Sequence, residues 1–246
     1  MSLDVPREDV ADLAQLGVIA FTTTRDAGTF GTAGREPVGD VMGRWWSLVE
    51  ALHEYSPRLA TSRQVHGNHV LVHRLTWDGW LRSDGADGHV APERGTALAI
   101  TVADCVPVFV AHPNGACALL HAGWRGTAAH ILSSGVAELV RSGLDARDLY
   151  VHLGPSICGR CYEVGPDVYQ QLTGQSASAA ECVDLRAILA REAREAGITR
   201  VSVSEFCTRC HNDRFFSHRA GDPGRMLAVI VGPSDCGVSS KTAWNG

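Results

Sequence analysis

Four side chains able to do chemistry lie close together in residues 102–126 of this 246-residue chain. Asp104 and Cys105 follow one predicted strand, and His121 and Arg125 follow another. Apolar runs separated by turn residues predict three strands and then a tight glycine turn into a helix. It is difficult to explain four such groups at strand ends, a carboxylate, a thiol, an imidazole and a guanidinium, as ordinary residues of a hydrophobic core. They predict a functional site in a soluble, metal-dependent enzyme.

A third candidate ligand, His66, lies beside a predicted turn at another strand end. With Cys105 and His121 it would supply two imidazoles and a thiolate, a donor set that zinc accepts while keeping one position open. Such a site lowers the pKa of a bound water to about 7. Cys105 and His121 could instead form a catalytic pair, in which His121 activates Cys105 as a nucleophile and Asp104 orients His121 as the base. Spacing alone leaves both hypotheses open.

The turn at residues 122–126 leads into a predicted helix, whose free backbone N–H groups favour an anion. Arg125 would add a planar, bidentate partner for phosphate or carboxylate. The alternative is a plain glycine turn with a surface arginine.

Two C-x-x-C pairs, Cys158/Cys161 and Cys207/Cys210, resemble the elementary unit of a zinc ribbon. They lie about 46 residues apart, whereas a ribbon has roughly 15–20. A structural zinc is therefore the secondary interpretation, and thiols packed as small apolar residues are favoured.

The net charge of −5 and the pI near 6.1 give no reason to expect nucleic acid or a membrane surface as a partner. The N-terminus is acidic where a signal peptide is basic and then apolar, so a cytoplasmic location is predicted. Eight cysteines without a secretion signal favour thiols or metal ligands over disulfides. The 11 histidines form no H-x-H pair, which disfavours a multi-copper cluster.

Hydrophobic patterning predicts one domain, residues 1–246 with a core at about 18–231, and no linker or repeat. Gly67-Asn68 predicts a hairpin over residues 58–75, and residues 77–87 are expected to form a polar loop. The predicted strands cover 18–24, 96–102, 106–111, 116–121, 149–153, 198–203 and 226–231, and the predicted helices cover 40–54, 127–141 and 185–196.

Several motifs occur together in a recognisable order. They include Gln64-Val-His-Gly67, Thr101-Val-Ala-Asp-Cys105, His121-Ala-Gly-Trp-Arg-Gly126, Cys161-Tyr-Glu-Val-Gly165, and Phe215-Phe-Ser-His-Arg219. From about residue 18 to 231 the chain resembles the bacterial laccase-domain family, also called the polyphenol oxidase or peptidoglycan editing factor family.

This resemblance implies an α+β fold of mixed β-sheets flanked by helices. It places the family's metal ligands at His66, Cys105 and His121. It also implies zinc-dependent phosphorolysis of adenosine, inosine, guanosine and methylthioadenosine, together with adenosine deamination. The C-x-x-C pairs do not match family ligands, which weakens the structural-zinc interpretation further.

Phosphate and nucleoside are the expected partners, and the residues expected to bind them are Arg63, Gln64, Arg125 and Arg219. Asp104 would orient a ligand or carry a proton, although a carboxylate beside a metal often only supports a ligand. Three other hypotheses remain: a cysteine amidase or hydrolase acting on peptidoglycan precursors, a non-enzymatic binding domain, and a copper-dependent polyphenol oxidase.

The sequence departs from the family pattern near its N-terminus. The loop at residues 26–39 is short and lacks the usual Asn-Leu block, and Arg44 stands where asparagine is common. His218 replaces the commoner tyrosine of Ser-Tyr-Arg. If this loop lines the pocket, the substrate preference should differ from the usual one.

Overall fold

The computed structural model describes residues 3–233, which contain two six-stranded sheets and a short two-stranded ribbon. The strands of the first sheet are Arg7–Asp9 (β1), Ile19–Thr23 (β2), Arg58–Arg63 (β3), Gly79–Asp84 (β5), Ala97–Val102 (β7) and Met226–Val231 (β14). Their order is β1-β2-β14-β7-β3-β5, with β3 parallel to both β7 and β5 and the other pairs antiparallel.

The strands of the second sheet are Val70–Val72 (β4), Gly88–Ala91 (β6), Val106–Ala111 (β8), Cys117–Ala122 (β9), Tyr150–Leu153 (β10) and Arg200–Val203 (β13). Their order is β13-β10-β8-β9-β6-β4, and the two outer pairs are parallel. Glu163–Val164 (β11) and Glu181–Cys182 (β12) form the ribbon. The helices are Ala11–Ala14 (α1), Val38–Leu52 (α2), Trp124–Ala128 (α3), Ile131–Arg141 (α4), Pro166–Thr173 (α5) and Leu185–Glu195 (α6).

The two sheets pack face to face between outer layers of helix. Along β14, Ala228 and Ile230 face the second sheet, where they share a core with Phe109 and Leu119. The alternate residues of β14 pack against α2 on the other side. Helices α4 and α6 cover the outer face of the second sheet. Strands buried on both faces have no polar side, which explains their near-continuous apolar runs.

The α+β class with mixed sheets flanked by helices is confirmed by this architecture. All seven strands predicted from apolar runs are present, although the run at 18–24 is the second strand because β1 precedes it. The helices at 40–54 and 185–196 are also confirmed, and the Asp184 side chain caps α6 as its sequence position suggests. The helix expected over 127–141 is instead two helices, separated at His130 in a left-handed conformation.

The predicted hairpin over residues 58–75 is wrong, because β3 and β4 belong to different sheets. The Gln64 side chain binds both the N–H and the C=O of Thr101 at 2.8 Å, so the chain stays beside β7 as β3 ends. It then crosses to the second sheet through Gly67. The expected loop at 77–87 was also wrong in part, since it contains the edge strand β5. No helix in residues 3–233 is long and apolar enough to cross a membrane.

A buried pair of imidazoles should make stability depend on pH. His73 Nε2 lies 2.9 Å from His89 Nδ1, and burial lowers the pKa of His73 to about 4 and that of His89 to about 3. In the unfolded chain the histidine pKa values are near 6.5. Between pH 6.5 and 4, these two imidazoles are therefore protonated in the unfolded chain but neutral in the folded chain. Unfolding free energy should fall as the pH drops through this window, by about 2 kcal/mol per imidazole at pH 5.

Urea unfolding at pH 7 and pH 5 measures this effect. A double variant, His73→Gln with His89→Gln, should lose less free energy than the wild type between the two pH values. An equal loss in both proteins would assign the pH dependence to other groups.

Candidate metal centre

His66 reaches the site from a strained backbone. Its φ is +61°, a left-handed conformation that is uncommon for a residue other than glycine. The carboxylate of Asp87 holds it there, accepting hydrogen bonds from the N–H groups of His66 and Gly67 at 2.9 and 2.7 Å and from that of Val65 at 3.1 Å. The turn that presents His66 is thus built around one buried carboxylate.

Cys105 lies in the crossing from β7 to β8, directly after a second strained residue. Asp104 has a φ of +81°, and both of its carboxylate oxygens are engaged. One accepts the Thr208 hydroxyl at 2.6 Å and the other accepts the Arg219 N–H at 2.7 Å. These bonds favour a positioning role for Asp104, because they fix the backbone that presents Cys105.

His121 is buried on β9, and its Nδ1 donates to Asp87 Oδ1 at 2.9 Å. A carboxylate can only accept, so this bond places the proton on Nδ1 and leaves Nε2 free as a ligand. Carboxylate–histidine pairs of this kind orient metal-binding imidazoles and raise their basicity.

The three predicted ligands converge. The ligand atoms of His66, Cys105 and His121 all lie within 4.8 Å of one another, and the two imidazole centroids are 4.8 Å apart. Two imidazoles and a thiolate with one oriented tautomer suit tetrahedral zinc, with a fourth position left for substrate or water. A β-carbon on Gly123 would lie 3.0 Å from Cys105 Sγ, so glycine keeps this space open. The residues present fit the zinc that the sequence resemblance implies.

The Cys105 thiol and the His121 imidazole also shift each other's pKa. Burial by itself would raise the pKa of Cys105, but the nearby His121 and His66 lower it to about 6. Burial would likewise lower the pKa of His121, yet the Cys105 thiolate and Asp87 raise it to about 9. Each group therefore favours the charged form of the other. A thiolate can serve as a metal ligand or as a nucleophile.

Asp87 is the functional residue that sequence reasoning missed. Its segment was expected to be a polar loop, whereas its side chain is wholly buried. Its oxygens bind His121 and the turn that presents His66, and these contacts keep its pKa low despite burial. Nothing in the local spacing distinguishes it from Asp84, which is exposed and paired with Arg63.

A cavity of about 700 Å³ opens above the three ligands. One wall is aromatic, formed by Phe30, Trp45 and Trp80, and Trp45 stacks on Trp80 with centroids 5.1 Å apart. The cationic residues on its lining are Arg63, Arg82 and Arg225, with His218 beside them. The cavity therefore offers flat apolar surface and positive charge within one space.

The short N-terminal loop noted in the sequence does reach this cavity, through residues 30–33. Arg44 braces it, donating to the Thr29 carbonyl at 2.9 Å and pairing with Glu36 at 2.5 Å. Two departures from the family pattern, the loop and His218, thus lie where a substrate would be recognised.

The predicted anion-binding residues do not form one group. Arg63 and Gln64 line the cavity, and Arg63 pairs with Asp84 at its rim. Arg125 is exposed over the ring of Trp124, and Arg219 donates to the Glu163 carbonyl beside Tyr162. Neither Arg125 nor Arg219 is among the residues that line the cavity. Arg82 and Arg225, which do line it, were not among the four residues predicted to bind phosphate and nucleoside.

The four-cysteine cluster (Cys158, Cys161, Cys207 and Cys210) corrects the expectation of separately packed thiols. Its four sulfur atoms all lie within 4.8 Å of one another. Three of the four side chains are half-buried or exposed, unlike Cys117, which is wholly buried in the core. The four cysteines are therefore not packed as small apolar residues in the hydrophobic core.

Helix α3 packs so closely on the His66 turn that Gly126 cannot be enlarged freely. A β-carbon there would lie 2.9 Å from the Gly67 carbonyl oxygen and 3.3 Å from that of His121. Gly126→Ala should therefore displace the turn, lowering the free energy of unfolding by about 1–3 kcal/mol and weakening zinc binding.

Gly39→Ala is the matched control, because Gly39 is also helical and has open space around it. That variant should gain up to about 1 kcal/mol of stability. Urea unfolding and zinc titration of both variants measure the difference. Equal behaviour of the two would show that the contact at Gly126 is not restrictive.

Comparison with known proteins finds relatives that match most of the chain. A family model described as "Multi-copper polyphenol oxidoreductase laccase" matches residues 30–232. The chain is 37% identical over 214 residues to "Purine nucleoside phosphorylase YlmD" of Geobacillus stearothermophilus, covering 78% of each chain. It is 33% identical over 172 residues to "Adenosine deaminase RL5" from an unknown prokaryotic organism, covering 64% of this chain and 63% of that protein.

Two crystal structures share the fold. That of YlmD from Geobacillus stearothermophilus superposes with a TM-score of 0.81 at 30% identity, covering 89% of this chain and 93% of that one. That of the Bacillus licheniformis hypothetical protein YfiH also gives a TM-score of 0.81, covering 93% of this chain and 97% of that one. Its 24% identity supports likeness of fold alone.

Proposed function

Because the chain belongs to the multi-copper polyphenol oxidoreductase laccase family, we propose that it is a zinc-dependent purine nucleoside phosphorylase that also deaminates adenosine. The observation that carries the proposal is the convergence of His66, Cys105 and His121 at the base of a cavity with aromatic and cationic walls. The names of the relatives, a purine nucleoside phosphorylase and an adenosine deaminase, support the same chemistry.

The cavity suits both substrates of phosphorolysis. Trp80, the partly exposed ring of the aromatic wall, offers a flat surface on which a purine would stack, with Phe30 and Trp45 packed behind it. Arg63 and Arg225 offer guanidinium groups that match phosphate. In phosphorolysis a phosphate oxygen bonds to the sugar C1′, the C1′–N9 bond breaks, and the purine leaves carrying a proton. Bringing phosphate and nucleoside together in one cavity lowers the barrier by proximity.

In deamination, water adds to C6 of adenosine and ammonia leaves, giving inosine. Zinc bound by the three residues would supply Lewis-acid chemistry and a water of lowered pKa. The protein's part is to hold His66, Cys105 and His121 in place, through Asp87 on one side and Asp104 on the other. Copper in the same site is a less favoured alternative, since two histidines and one cysteine supply ligands for one ion and not for the several ions of a multi-copper centre.

A second candidate function rests on the thiolate at Cys105. With its pKa near 6 and His121 beside it, Cys105 could act as the nucleophile of an amidase or hydrolase on a peptidoglycan precursor. Such an enzyme would keep its activity when zinc is removed and lose it on alkylation of the thiol.

Chromatographic time courses with adenosine and inosine, with and without phosphate, test the proposal on protein of known zinc content. We expect phosphate-dependent release of free base, and inosine formed from adenosine. Chelation should abolish both activities and added zinc should restore them. Turnover that survives chelation would point to the thiol nucleophile, and no turnover by zinc-loaded protein would contradict the nucleoside activity.

A further inference from the structure

Beyond the cavity, the four-cysteine cluster is a second concentration of metal-binding atoms. Cys158 and Cys161 lie on the segment that follows β10, and Cys207 and Cys210 lie on the segment that follows β13. Strands β10 and β13 are parallel neighbours, paired from Tyr150↔Arg200 to Leu153↔Val203. Their carboxyl ends therefore meet at one edge of the second sheet. Parallel pairing brings together two motifs that are distant in sequence.

The two segments stay in contact beyond the strands. Ser156 and Cys207 form a parallel bridge, and the Thr208 N–H donates to the Ser156 carbonyl at 3.1 Å. This backbone contact fixes the spacing of the two C-x-x-C turns before any metal is present.

The separations of the sulfur atoms suit one shared zinc ion better than disulfides. Cys161 Sγ lies 3.5 Å from Cys210 Sγ, and a zinc ion with bonds of about 2.3 Å to four sulfurs separates them by about 3.8 Å. A disulfide would need about 2.05 Å. All four sulfur atoms lie within 4.8 Å of one another, so one ion can reach every ligand.

The surroundings favour a thiolate at Cys207 and place positive charge near the cluster. Backbone N–H groups of Cys158 and Cys210 point at Cys207 Sγ, at 3.2 and 3.5 Å. Each C-x-x-C turn also carries an arginine, Arg160 in one and Arg209 in the other, and both are exposed. Four thiolates around Zn²⁺ leave a charge of −2, and these two cations offset it. Donor hydrogen bonds and nearby cations of this kind support metal ligands.

We propose that the four-cysteine cluster is a structural, tetrathiolate zinc site. All four positions are filled by protein ligands, so the site is closed and takes no part in turnover. Its effect on the candidate metal centre is through position. The same two segments hold Asp104, because the Ile157 N–H donates to the Asp104 carbonyl at 3.0 Å and the Thr208 hydroxyl binds its carboxylate at 2.6 Å. Zinc in the cluster would therefore anchor the groups that fix the backbone before Cys105.

Metal analysis of the full-length protein tests the site without an activity assay. Wild type, reduced and loaded with zinc, should hold two zinc ions per chain. The double variant Cys161→Ser/Cys210→Ser should hold one, and so should Cys105→Ala, which keeps the cluster intact. Cys182→Ser should hold two. Cys182 is the matched control, because it is an exposed cysteine near Arg160 that lies outside the cluster.

Cobalt reports the ligand type. Cys105→Ala loaded with Co²⁺ should show the intense visible and thiolate-to-metal bands of a tetrahedral thiolate site. These bands should be absent when Cys161 and Cys210 are also replaced. An unchanged zinc content in the double variant, or cobalt bands that persist in the triple variant Cys105→Ala/Cys161→Ser/Cys210→Ser, would overturn the proposal. Neither result bears on nucleoside turnover, so the two proposals fail separately.

If the double variant does not fold, wild type still decides the matter. Alkylation followed by peptide mapping should show the four cluster thiols protected in zinc-loaded protein and reactive after chelation, with Cys182 reactive in both. Cluster thiols that react equally with and without zinc, or that are joined as disulfides in the zinc-loaded protein, would overturn the site.

Discussion

Cys105→Ala should remove one zinc ion per chain and lower kcat/KM for nucleosides by about 10³-fold or more. The reason is that His66 and His121 alone leave two protein ligands, fewer than the three that catalytic zinc sites keep. Losing Lewis-acid stabilisation of several kcal/mol corresponds to that factor. The thiol is also the only anionic ligand of the three, so its loss removes the charge that favours a divalent cation.

The measurements are zinc content, zinc affinity and nucleoside turnover on the same preparation. Cys182→Ser, an exposed thiol outside the site, should match wild type in all three. A Cys105→Ala protein that keeps its zinc but loses activity would favour the nucleophile hypothesis. One that loses zinc but stays active would show that the metal is not catalytic.

The second large effect is expected at Asp87. Asp87→Asn keeps the shape of the side chain but removes its charge and replaces one acceptor oxygen by a donor NH₂ group. In the wild type, the Asp87 carboxylate accepts four hydrogen bonds, from His121 Nδ1 and from the N–H groups of residues 65–67. At least one buried donor would lose its partner, which costs about 1–3 kcal/mol for each.

We expect zinc affinity to fall about 10–100-fold in Asp87→Asn, as for other groups that orient metal-binding histidines. Stability without zinc should fall as well, because the left-handed turn at His66 loses its support. Asp84→Asn is the control, since Asp84 is exposed and its pairing with Arg63 adds little to stability. Zinc titration and urea unfolding of the metal-free proteins compare the two. Equal affinities would mean that Asp87 does not orient His121.

Much of the site could be predicted from sequence. His66, Cys105 and His121 were reached from residue type and strand ends, and the family motifs agree with them. Strands buried on both faces, such as β7, β8 and β14, were predicted from apolar runs because burial leaves little room for polar residues.

What sequence did not predict depends on pairing between distant segments. The two C-x-x-C motifs meet only because β10 and β13 are parallel, and no local spacing encodes that. The predicted hairpin failed because Gly67-Asn68 is a turn signal, whereas the chain there changes sheet. Asp87 was missed since its partners, His121 and the backbone at 65–67, are 20 or more residues away.

Two of the left-handed residues, His66 and Asp104, lie where the chain passes from the first sheet to the second. His66 lies between β3 and β4, and Asp104 lies between β7 and β8. The ligands His66 and Cys105 sit on these two crossings, and His121 belongs to the second sheet. None of the three is correctly placed relative to the others until both sheets have docked. The centre thus exists only when both sheets are docked, and metal binding to it would report that the two halves of the core have come together.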